Sequence, residues 1–536
     1  MQNRTVISFI VIIFFLCGIM LKIYQLAGPQ LSQAADQQAK LTVTVASLRG
    51  TIYDTNLKPL VNNKTEYRVA VTPNPKAIAA LSTVLSEEKL KEITDRLKSG
   101  KPVVAMVDNL SSPADGLLMF ETPVRYKGKL LAPHVVGYLD GTGIKGASGA
   151  EMIFDEILSE YTGKLSVTYT VDAVGRPLEG IDPVVTNTLG NAKGGVVLTI
   201  DSEIQRIAED AAKAFLTRGA VVVMKPETGH ILALVSLPDF QPSTLSENLD
   251  SKDSPLLNRA FSNYNCGSVF KMVTASAALE QGIPVTTRFT CTGSRTVGDI
   301  TFHCHHRLGH GTLDMVNAFA QSCNPYFISL ALQAGGQRLY DMSAALGFDR
   351  PVYLAEGWKT SRAVIPSLES LASPAEVGNL SFGQGSLMAT PIHIAQLVGA
   401  IVNKGNLIRP TLYKGKVDPD GNITDVPPSP STTVFSASTA AKLKEMMIYT
   451  VENGTGVSAR PSAGGAGGKT GTAETGWIIN GRSVLQGWFA GFYPANNPEY
   501  VITVLAEDTE GTGGKANPVF RQICDELYLL GQKQNN

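Results

Sequence analysis

Residues 268–279 read Ser-Val-Phe-Lys-Met-Val-Thr-Ala-Ser-Ala-Ala-Leu, and this segment is apolar on nearly every side. Such a pattern predicts a buried helix. Its only cation, Lys271, lies three residues after Ser268, so the two side chains share one helix face. Burying an ammonium group without a partner is costly, and Lys271 is therefore either paired in a structural role or shifted toward neutrality for catalysis. The second alternative indicates a serine nucleophile with a general base one helical turn away.

The same Ser-x-x-Lys spacing occurs a second time, from Ser86 to Lys89. There the two intervening residues are glutamates, and the surrounding stretch is charged and amphipathic. That pattern is typical of a solvated helix face. The spacing alone therefore does not identify a site, and the apolar context of Ser268 distinguishes the two copies.

A second signature, Ser322-Cys323-Asn324, lies between two stretches of helical pattern. Asn324 precedes Pro325, and proline in the first turn favours a helix start, so helix capping explains Asn324. Capping does not explain Ser322. The catalytic alternative uses both side chains, a hydroxyl that relays protons and an amide that holds a substrate.

A third signature, Lys469-Thr470-Gly471-Thr472, follows a glycine-rich turn. The alternative is a phosphate-binding loop of the form G-x-x-x-x-G-K-[ST], but that pattern requires glycine at a position occupied by Ala463. The sequence after the signature alternates as strands do and predicts an antiparallel meander. We therefore expect residues 469–474 to form a strand that lines a site.

The three signatures, in this order, are those of serine β-lactamases and penicillin-binding proteins. Further motifs extend the match over nearly all of the chain, which resembles the class B, monofunctional penicillin-binding proteins. These motifs are Arg49-Gly-Thr-Ile-Tyr-Asp54, Gly146-Ala-Ser-Gly-Ala-Glu151, Leu198-Thr-Ile-Asp201, Phe382-Gly-Gln-Gly385 and Trp488-Phe-Ala-Gly-Phe492. The resemblance implies an α+β fold with a penicillin-binding/serine β-lactamase-like transpeptidase domain, whose helices pack on an antiparallel sheet. A mixed pedestal domain and one N-terminal transmembrane helix are expected to precede it.

The resemblance also implies the reaction, which cross-links peptidoglycan stem peptides by serine acyl transfer from D-Ala-D-Ala donors to an amine. β-Lactam antibiotics would acylate the same serine, and catalysis would require no cofactor. Two alternatives remain at this point, a membrane-anchored β-lactam sensor and a serine β-lactamase. A sensor should have several membrane spans and a lactamase should have a Glu-x-x-Leu-Asn element, and neither is visible in the sequence.

The resemblance assigns roles to the residues of the first two signatures and to the lysine of the third. Ser268 is the acylated nucleophile, and Lys271 is its general base. Ser322 passes a proton to the leaving D-alanine, and Asn324 binds the substrate amide. Lys469 adds positive field.

The remaining residues of the third signature are implied to bind the donor peptide. The hydroxyl groups of Thr470 and Thr472 would hold the terminal carboxylate, on either side of Gly471. The backbone N–H groups of Ser268 and Thr472 would form the oxyanion hole.

The composition is that of a globular protein on a membrane anchor. The chain has 536 residues, 43% of them hydrophobic, and a formal net charge of −1, which gives no indication of a nucleic-acid partner. Residues 6–21 are almost wholly apolar and, with the residues that follow, just reach across a bilayer. A cleaved signal peptide is the alternative, but no small-x-small cleavage site follows at once.

We therefore expect a single-pass protein of the cell membrane, with catalysis outside the cytoplasm. The predicted divisions are a membrane anchor over 1–25, a stalk over 26–40, a non-catalytic, dimerisation-type pedestal over 41–189 and a transpeptidase domain over 190–536. The resemblance further suggests a membrane partner, a polytopic glycan-polymerising glycosyltransferase contacted through the anchor and pedestal.

Four residues with soft ligand atoms share the catalytic half of the chain, namely Cys291, Cys304, His306 and Cys323, while His305 and His310 lie nearby in sequence. Three cysteines and one histidine are a common structural zinc set. A Cys291–Cys304 disulfide is an alternative outside the cytoplasm, and plain buried thiols are another. A subset of the resembled family carries such a metal, which favours zinc slightly.

Overall fold

The protein is described by a computed structural model that covers residues 2–26, 39–109, 114–479, 482–509 and 514–535. The chain divides into two compact units. Unit 1 comprises Met1–Gly50, Asn62–Arg125 and Glu160–Lys193, and unit 2 comprises Thr51–Val61, Tyr126–Ser159 and Gly194–Asn536. Most of the predicted stalk, residues 27–38, lies outside the described residues.

Helices and strands alternate irregularly along the chain. The helices are α1 (Gln2–Leu26), α2 (Pro75–Leu81), α3 (Glu87–Leu97), α4 (Pro133–Val136), α5 (Gly149–Ile153), α6 (Asp155–Glu160), α7 (Ser202–Phe215), α8 (Lys271–Glu280), α9 (Met315–Ala320), α10 (Asn324–Ala334), α11 (Gly336–Ala345), α12 (Pro374–Ser381), α13 (Pro391–Val402), α14 (Ala437–Asn453) and α15 (Ala516–Asn535). The strands of the first half are β1 (Lys40–Leu48), β2 (Thr51–Tyr53), β3 (Lys64–Val71), β4 (Val103–Val107), β5 (Leu117–Val124), β6 (Gly163–Thr170), β7 (Val184–Asn187), β8 (Gly195–Leu198), β9 (Gly219–Met224) and β10 (Ile231–Leu237). Those of the second half are β11 (Phe289–Cys291), β12 (Ser294–Val297), β13 (Ile300–His303), β14 (Gly311–Leu313), β15 (Tyr353–Ala355), β16 (Trp358–Lys359), β17 (Asn406–Ile408), β18 (Tyr413–Val417), β19 (Ile423–Asp425), β20 (Ser431–Thr433), β21 (Gly467–Ile479), β22 (Arg482–Tyr493) and β23 (Tyr500–Thr509).

Helix α1 matches the predicted anchor. Within it, the candidate span Arg4–Gln25 contains an 18-residue window with a mean hydropathy of 2.8. By length and composition, α1 is the one described helix that could cross a membrane. An α-helix rises about 1.5 Å per residue, so α1 exceeds the hydrocarbon core of a bilayer, which is roughly 30 Å thick.

Unit 1 contains two antiparallel sheets, in the strand orders β1-β6-β7 and β4-β3-β5. Successive residues of a strand face opposite sides, and β3 follows this rule. Ala70 packs with Val45 and Val167, whereas Val69 packs with Leu81 and other apolar residues of α2 and α3.

The second Ser-x-x-Lys spacing lies in unit 1. Ser86 is the N-cap of α3, and Lys89 is exposed in its first turn. These residues belong to a solvated helix, as the charged sequence predicts.

Unit 2 is built on a five-stranded antiparallel sheet in the order β10-β9-β23-β22-β21. Phe489 and Val504 face one side, where apolar residues of α7 and α15 cover them. Trp488 and Leu505 face the other, in a larger cluster that includes residues of α8, α10, α13 and α14. The predicted α+β fold, with helices packed on an antiparallel sheet, is confirmed.

Two segments from the first third of the chain belong to unit 2. Strand β2 pairs in parallel with β8, with Thr51 opposite Gly195. Phe154 lies in the large core of unit 2, and its ring contacts that of Trp358 at 6.1 Å between centroids. Unit 2 therefore contains residues from both sides of position 190.

Candidate active site

Ser268 lies in a short 3-10 helix, Gly267–Phe270, that leads directly into α8. Lys271 is fully buried at the start of α8, and its Nζ donates a hydrogen bond to Ser268 Oγ at 3.0 Å. Gly267 has a φ of +57°, and a Cβ there would lie 2.5 Å from the carbonyl oxygen of Thr472. Glycine therefore lets residues 267–270, the turn that carries the predicted nucleophile (the nucleophile turn), approach β21 closely.

Lys271 Nζ has three further hydrogen-bond acceptors from the second signature. They are the Ser322 carbonyl oxygen at 2.7 Å, Ser322 Oγ at 3.1 Å and Asn324 Oδ1 at 2.7 Å. Burial lowers the pKa of Lys271 to about 7, although the thiols of Cys323 and Cys304 act in the opposite direction. A lysine with such a pKa is neutral often enough near pH 7 to accept a proton from Ser268.

The second signature turns sharply between α9 and α10. Ser322 has a φ of +51°, in the left-handed region that is uncommon for residues other than glycine. Its backbone N–H donates to the Phe319 carbonyl oxygen at 3.1 Å, which closes the turn. This conformation places the Ser322 hydroxyl between two buried lysines, because Lys469 Nζ also donates to Ser322 Oγ, at 3.0 Å.

Asn324 begins α10 but does not cap it. The N-cap is Cys323, which makes no side-chain capping hydrogen bond. Instead, Asn324 Oδ1 accepts from Lys271, and Asn324 Nδ2 donates to the carbonyl oxygen of His303 at 3.2 Å. The capping interpretation is therefore wrong for this side chain, because both ends of its amide are turned to other partners.

The third signature occupies β21, the edge strand of the sheet. Lys469 is fully buried, and burial together with the nearby Lys271 lowers the pKa of Lys469 well below its ordinary value. Thr470 is half-buried and Thr472 is exposed. A Cβ at Gly471 would lie 3.0 Å from Trp488 Cβ and 3.0 Å from Val269 Cγ1, so glycine permits the packing between β21 and the nucleophile turn.

Two contacts of the site were not anticipated from the sequence. The first is the hydrogen bond from Asn324 to the carbonyl oxygen of His303. Every residue has a backbone carbonyl group, so the residue type at 303 does not predict this contact. Thr455 Oγ1 lies 2.7 Å from Thr470 Oγ1. Its only sequence signal is its place between Gly454 and Gly456 at the end of a predicted helix.

The structure brings together three of the four predicted metal ligands, Cys291, Cys304 and Cys323, and a different histidine is the fourth member of the cluster. The ligand atoms of Cys291, Cys304, Cys323 and His310 all lie within 4.8 Å of one another. His310 takes the place predicted for His306, because β11 pairs with β14 so that Cys291 lies opposite Gly311, the residue after His310.

His306 is turned away within its own loop. Its Nδ1 donates to the carbonyl oxygen of Gly309 at 2.8 Å, so its imidazole is engaged in a local turn. The cysteines of the cluster are free thiols in this structure, with no disulfide among the described residues. A hydrogen bond with the Cys323 thiol lowers the pKa of Cys304.

Three thiols and one imidazole, with the thiols buried, fit a closed four-coordinate zinc site. Zinc–sulfur bonds of about 2.3 Å set tetrahedral ligand atoms roughly 3.8 Å apart. The four ligand atoms lie within 4.8 Å of one another, so no separation exceeds that spacing by more than about 1 Å.

Comparison with known families gives two matches that together span most of the chain. The model of the penicillin binding protein transpeptidase domain matches residues 219–525. The model of the penicillin-binding protein dimerisation domain matches residues 44–191.

Three similar proteins cover between 61% and 98% of this chain. Stage V sporulation protein D of Bacillus subtilis is 30% identical over 98% of this chain and 85% of its own. The peptidoglycan D,D-transpeptidase PbpA of Mycolicibacterium smegmatis is 33% identical over 61% of this chain and 71% of its own. The crystal structure of penicillin binding protein 3 from Mycobacterium tuberculosis, complexed with ampicillin, has a TM-score of 0.66 and 25% identity, and covers 92% of this chain and 96% of that one.

These matches support a transpeptidase rather than a β-lactamase or a sensor. The matching family model is that of a transpeptidase domain, and PbpA is named a D,D-transpeptidase. The transpeptidase model covers more than half of the chain, and the three signatures meet in one site within it. The chain therefore belongs to the class B penicillin-binding proteins, the serine-type peptidoglycan D,D-transpeptidases that β-lactams acylate.

Proposed function

We propose that this D,D-transpeptidase joins peptidoglycan stem peptides through an acyl-enzyme on Ser268. The observation that carries this proposal is the contact of 3.0 Å between Ser268 Oγ and Nζ of a fully buried lysine, Lys271. A buried lysine of lowered pKa beside a serine hydroxyl supplies what an acyl-transfer nucleophile needs, a base within hydrogen-bond reach.

In the acylation step, neutral Lys271 takes the proton of Ser268, and Ser268 Oγ attacks the carbonyl carbon of the penultimate D-alanine. The backbone N–H groups of Ser268 and Thr472 stabilise the oxyanion that forms. The C–N bond then breaks, and Ser322 delivers a proton to the leaving D-alanine nitrogen. Ser322 can recover this proton from Lys271, whose Nζ lies 3.1 Å from its hydroxyl.

In the second step, an amine of a neighbouring stem peptide attacks the ester carbonyl and gives up a proton to neutral Lys271. Lys271 passes this proton to Ser268 Oγ as the ester C–O bond breaks. Lys469 adds positive field at the Ser322 hydroxyl, 3.0 Å away. Asn324 binds the amide of the donor peptide. No cofactor takes part in either step.

We infer that the donor is oriented by its terminal carboxylate. Thr470 and Thr472 lie two residues apart on β21, so their side chains point to the same face of the strand. Their hydroxyl groups are suited to hold the two carboxylate oxygens, and Gly471 between them keeps the strand close to the nucleophile turn.

We propose that residues 1–25 anchor the protein in the cell membrane as a single pass, with the catalytic domain outside the cytoplasm where its substrate lies. Residues 26–40 would be a stalk, 41–189 the pedestal and 190–536 the transpeptidase domain. The ranges matched by the two family models support this division. A polytopic glycan-polymerising glycosyltransferase is the partner proposed for the anchor and pedestal.

We further propose that Cys291, Cys304, His310 and Cys323 hold a structural zinc ion. The composition and proximity of the four donors support this. When bound, zinc would cross-link these residues and supply folding energy. Because Cys323 lies between Ser322 and Asn324, the ligands themselves would restrain the second signature.

The proposed nucleophile is tested by labelling the full-length chain with a fluorescent penicillin. Ser268→Ala should abolish covalent labelling, and Ser86→Ala, in the other Ser-x-x-Lys copy, should leave it intact. A labelled Ser268→Ala protein would place the nucleophile elsewhere. An acyl-enzyme that persists indicates a transpeptidase, whereas rapid turnover would favour a β-lactamase.

A further inference from the structure

Thr455 lies in the Gly454-Thr455-Gly456 turn that follows α14. Its backbone N–H donates to the carbonyl oxygen of Ala320 at 3.0 Å. Ala320 ends α9, two residues before Ser322. On the other side, Thr455 Oγ1 lies 2.7 Å from Thr470 Oγ1. This one residue therefore connects the loop of the second signature with the strand of the third.

Backbone contacts hold in place the turn that carries this hydroxyl. A Cβ at Gly454 would lie 2.4 Å from the Ala320 carbonyl oxygen, so only glycine allows the turn to come this close. The Gly456 N–H donates to the carbonyl oxygen of Thr450 at 3.1 Å, which ties the turn to α14. Thr455 is half-buried and held at a set distance from Thr470.

Which of the two threonine hydroxyl groups donates the hydrogen bond affects how Thr470 can bind a ligand. Each hydroxyl has one proton, and Thr455 can give its proton either to the Ala320 carbonyl oxygen or to Thr470. The Ala320 oxygen lies 3.3 Å from Thr455 Oγ1, which is long for an O–H···O hydrogen bond. The two hydroxyl oxygens lie 2.7 Å apart, the usual length of a good one, whichever of them donates. The second arrangement leaves the Thr470 proton free to point at another acceptor, and a carboxylate can only accept.

We propose that Thr455 is a positioning residue for the donor carboxylate. It donates to Thr470 Oγ1 and so turns the Thr470 proton toward the terminal carboxylate of the donor peptide or the β-lactam. Thr455 does not touch the substrate and acts only through Thr470. The inference rests on the carboxylate contact proposed for Thr470.

The test compares acylation of the full-length chain in detergent by benzylpenicillin and by its methyl ester, which lacks the carboxylate charge. Thr455→Val should slow acylation by the free acid roughly three- to tenfold, the worth of one net hydrogen bond, and leave the ester rate nearly unchanged. Thr455→Ser should restore the wild-type ratio of the two rates. Thr42→Val is the matched control, because Thr42 Oγ1 also faces a threonine hydroxyl, that of Thr168, at 2.9 Å in unit 1.

A double variant separates positioning from a general structural role. If Thr455 acts through Thr470, Thr455→Val should add little to Thr470→Val. Additive losses, or equal losses with acid and ester, would overturn the inference. An effect of Thr470→Val without any effect of Thr455→Val would overturn it and leave the proposed carboxylate contact standing. If Thr455→Val lowers thermal stability, comparison of Thr455→Ser with Thr455→Ala decides between the same outcomes.

Discussion

Lys271 and Lys469 approach the same oxygen atom, since the Nζ atoms of both lie within hydrogen-bond distance of Ser322 Oγ, at 3.1 and 3.0 Å. Both side chains are fully buried. Burial lowers the pKa of each, and the charge of Lys271 lowers that of Lys469 further. Ser322 is therefore placed between two buried lysines whose neutral forms are favoured by burial, an arrangement suited to proton relay.

Removing the base should slow acylation without removing the nucleophile. Lys271→Ala is expected to lower the rate of acylation by penicillin on the order of a hundredfold or more, because general-base catalysis is commonly worth that much. Stopped-flow measurement of labelling provides the rate. Lys89→Ala, in the solvated Ser-x-x-Lys copy, is the control and should match the wild type. A near-normal rate for Lys271→Ala would remove this lysine from the mechanism.

The lowered pKa of Lys271 should also appear in the pH dependence of stability. The pKa of this group is about 7 in the folded chain and 10.5 in its ordinary state, so the unfolded chain binds more protons between these values. Linkage then makes the free energy of unfolding rise with pH across this window. Compared with Lys271→Met by denaturant unfolding, the wild type should gain stability from about pH 7 upward. Parallel curves for the two proteins would contradict a buried lysine that titrates near 7.

Asn324→Asp should move the pH–rate profile of acylation. In the wild type, the rate should rise as Lys271 loses its proton, with a midpoint near pH 7. An aspartate at this position would put a carboxylate where Oδ1 now lies, 2.7 Å from Lys271 Nζ, and an opposite charge at that distance raises the pKa of a lysine. We expect the midpoint to shift upward by about one unit or more. An unchanged midpoint would indicate that Lys271 does not control the rate.

Gly471→Ala should impair the site through packing. The added methyl group would lie 3.0 Å from both Trp488 Cβ and Val269 Cγ1, closer than carbon atoms ordinarily approach. Overpacking of this kind commonly costs about 1–3 kcal/mol, and it would also displace β21 from the nucleophile turn. The midpoint of thermal unfolding and the rate of penicillin labelling should both decrease. Gly531→Ala, in α15 with nothing outside its own helix within 4 Å of the new Cβ, is the control. It should leave labelling unchanged and should not lower the thermal midpoint, because alanine is the better helix former.

Loss of His310 and loss of His306 should have different effects on zinc binding. Elemental analysis of the purified protein should find about one zinc ion per chain, as a single closed site requires. His310→Ala should lose the metal and lower thermal stability, whereas His306→Ala should keep both, because only the first imidazole lies in the cluster. Cys323→Ser should lose the metal and also slow acylation.

Chelation should lower the thermal midpoint of the wild type, because a structural metal contributes to folding energy. Absence of metal, together with a Cys291–Cys304 crosslink detected by mass spectrometry under non-reducing conditions, would replace zinc by a disulfide. That outcome would leave the transpeptidase assignment intact.

The catalytic signatures could be found in the sequence because each depends on short-range order. Ser268 and Lys271 share a face through helix periodicity alone, and the apolar residues around them predict that the helix is buried. The solvated copy at Ser86 was separable for the same reason, since charge density is also a local property. Helix α1 is recognisable from its composition and length.

The tertiary structure decided which distant groups face one another. His310 replaces His306 in the cysteine cluster because strand pairing places residue 311 opposite Cys291, and no spacing rule contains that register. Asn324 is turned from helix capping to Lys271 and the His303 carbonyl by contacts that residues far apart in the chain supply.

The residue types of the site could be read from neighbouring positions of the sequence, where periodicity and residue chemistry are local properties. The family and the α+β architecture followed from the resemblance that these residues carry. The position of Ser322 Oγ between Lys271 and Lys469, and the contact of Thr455 with Thr470, could be found only in the folded chain. The physical reason is that these distances are set by the packing of α8, α9, α14 and β21 around a common core, a property of how the elements assemble and not of any one segment.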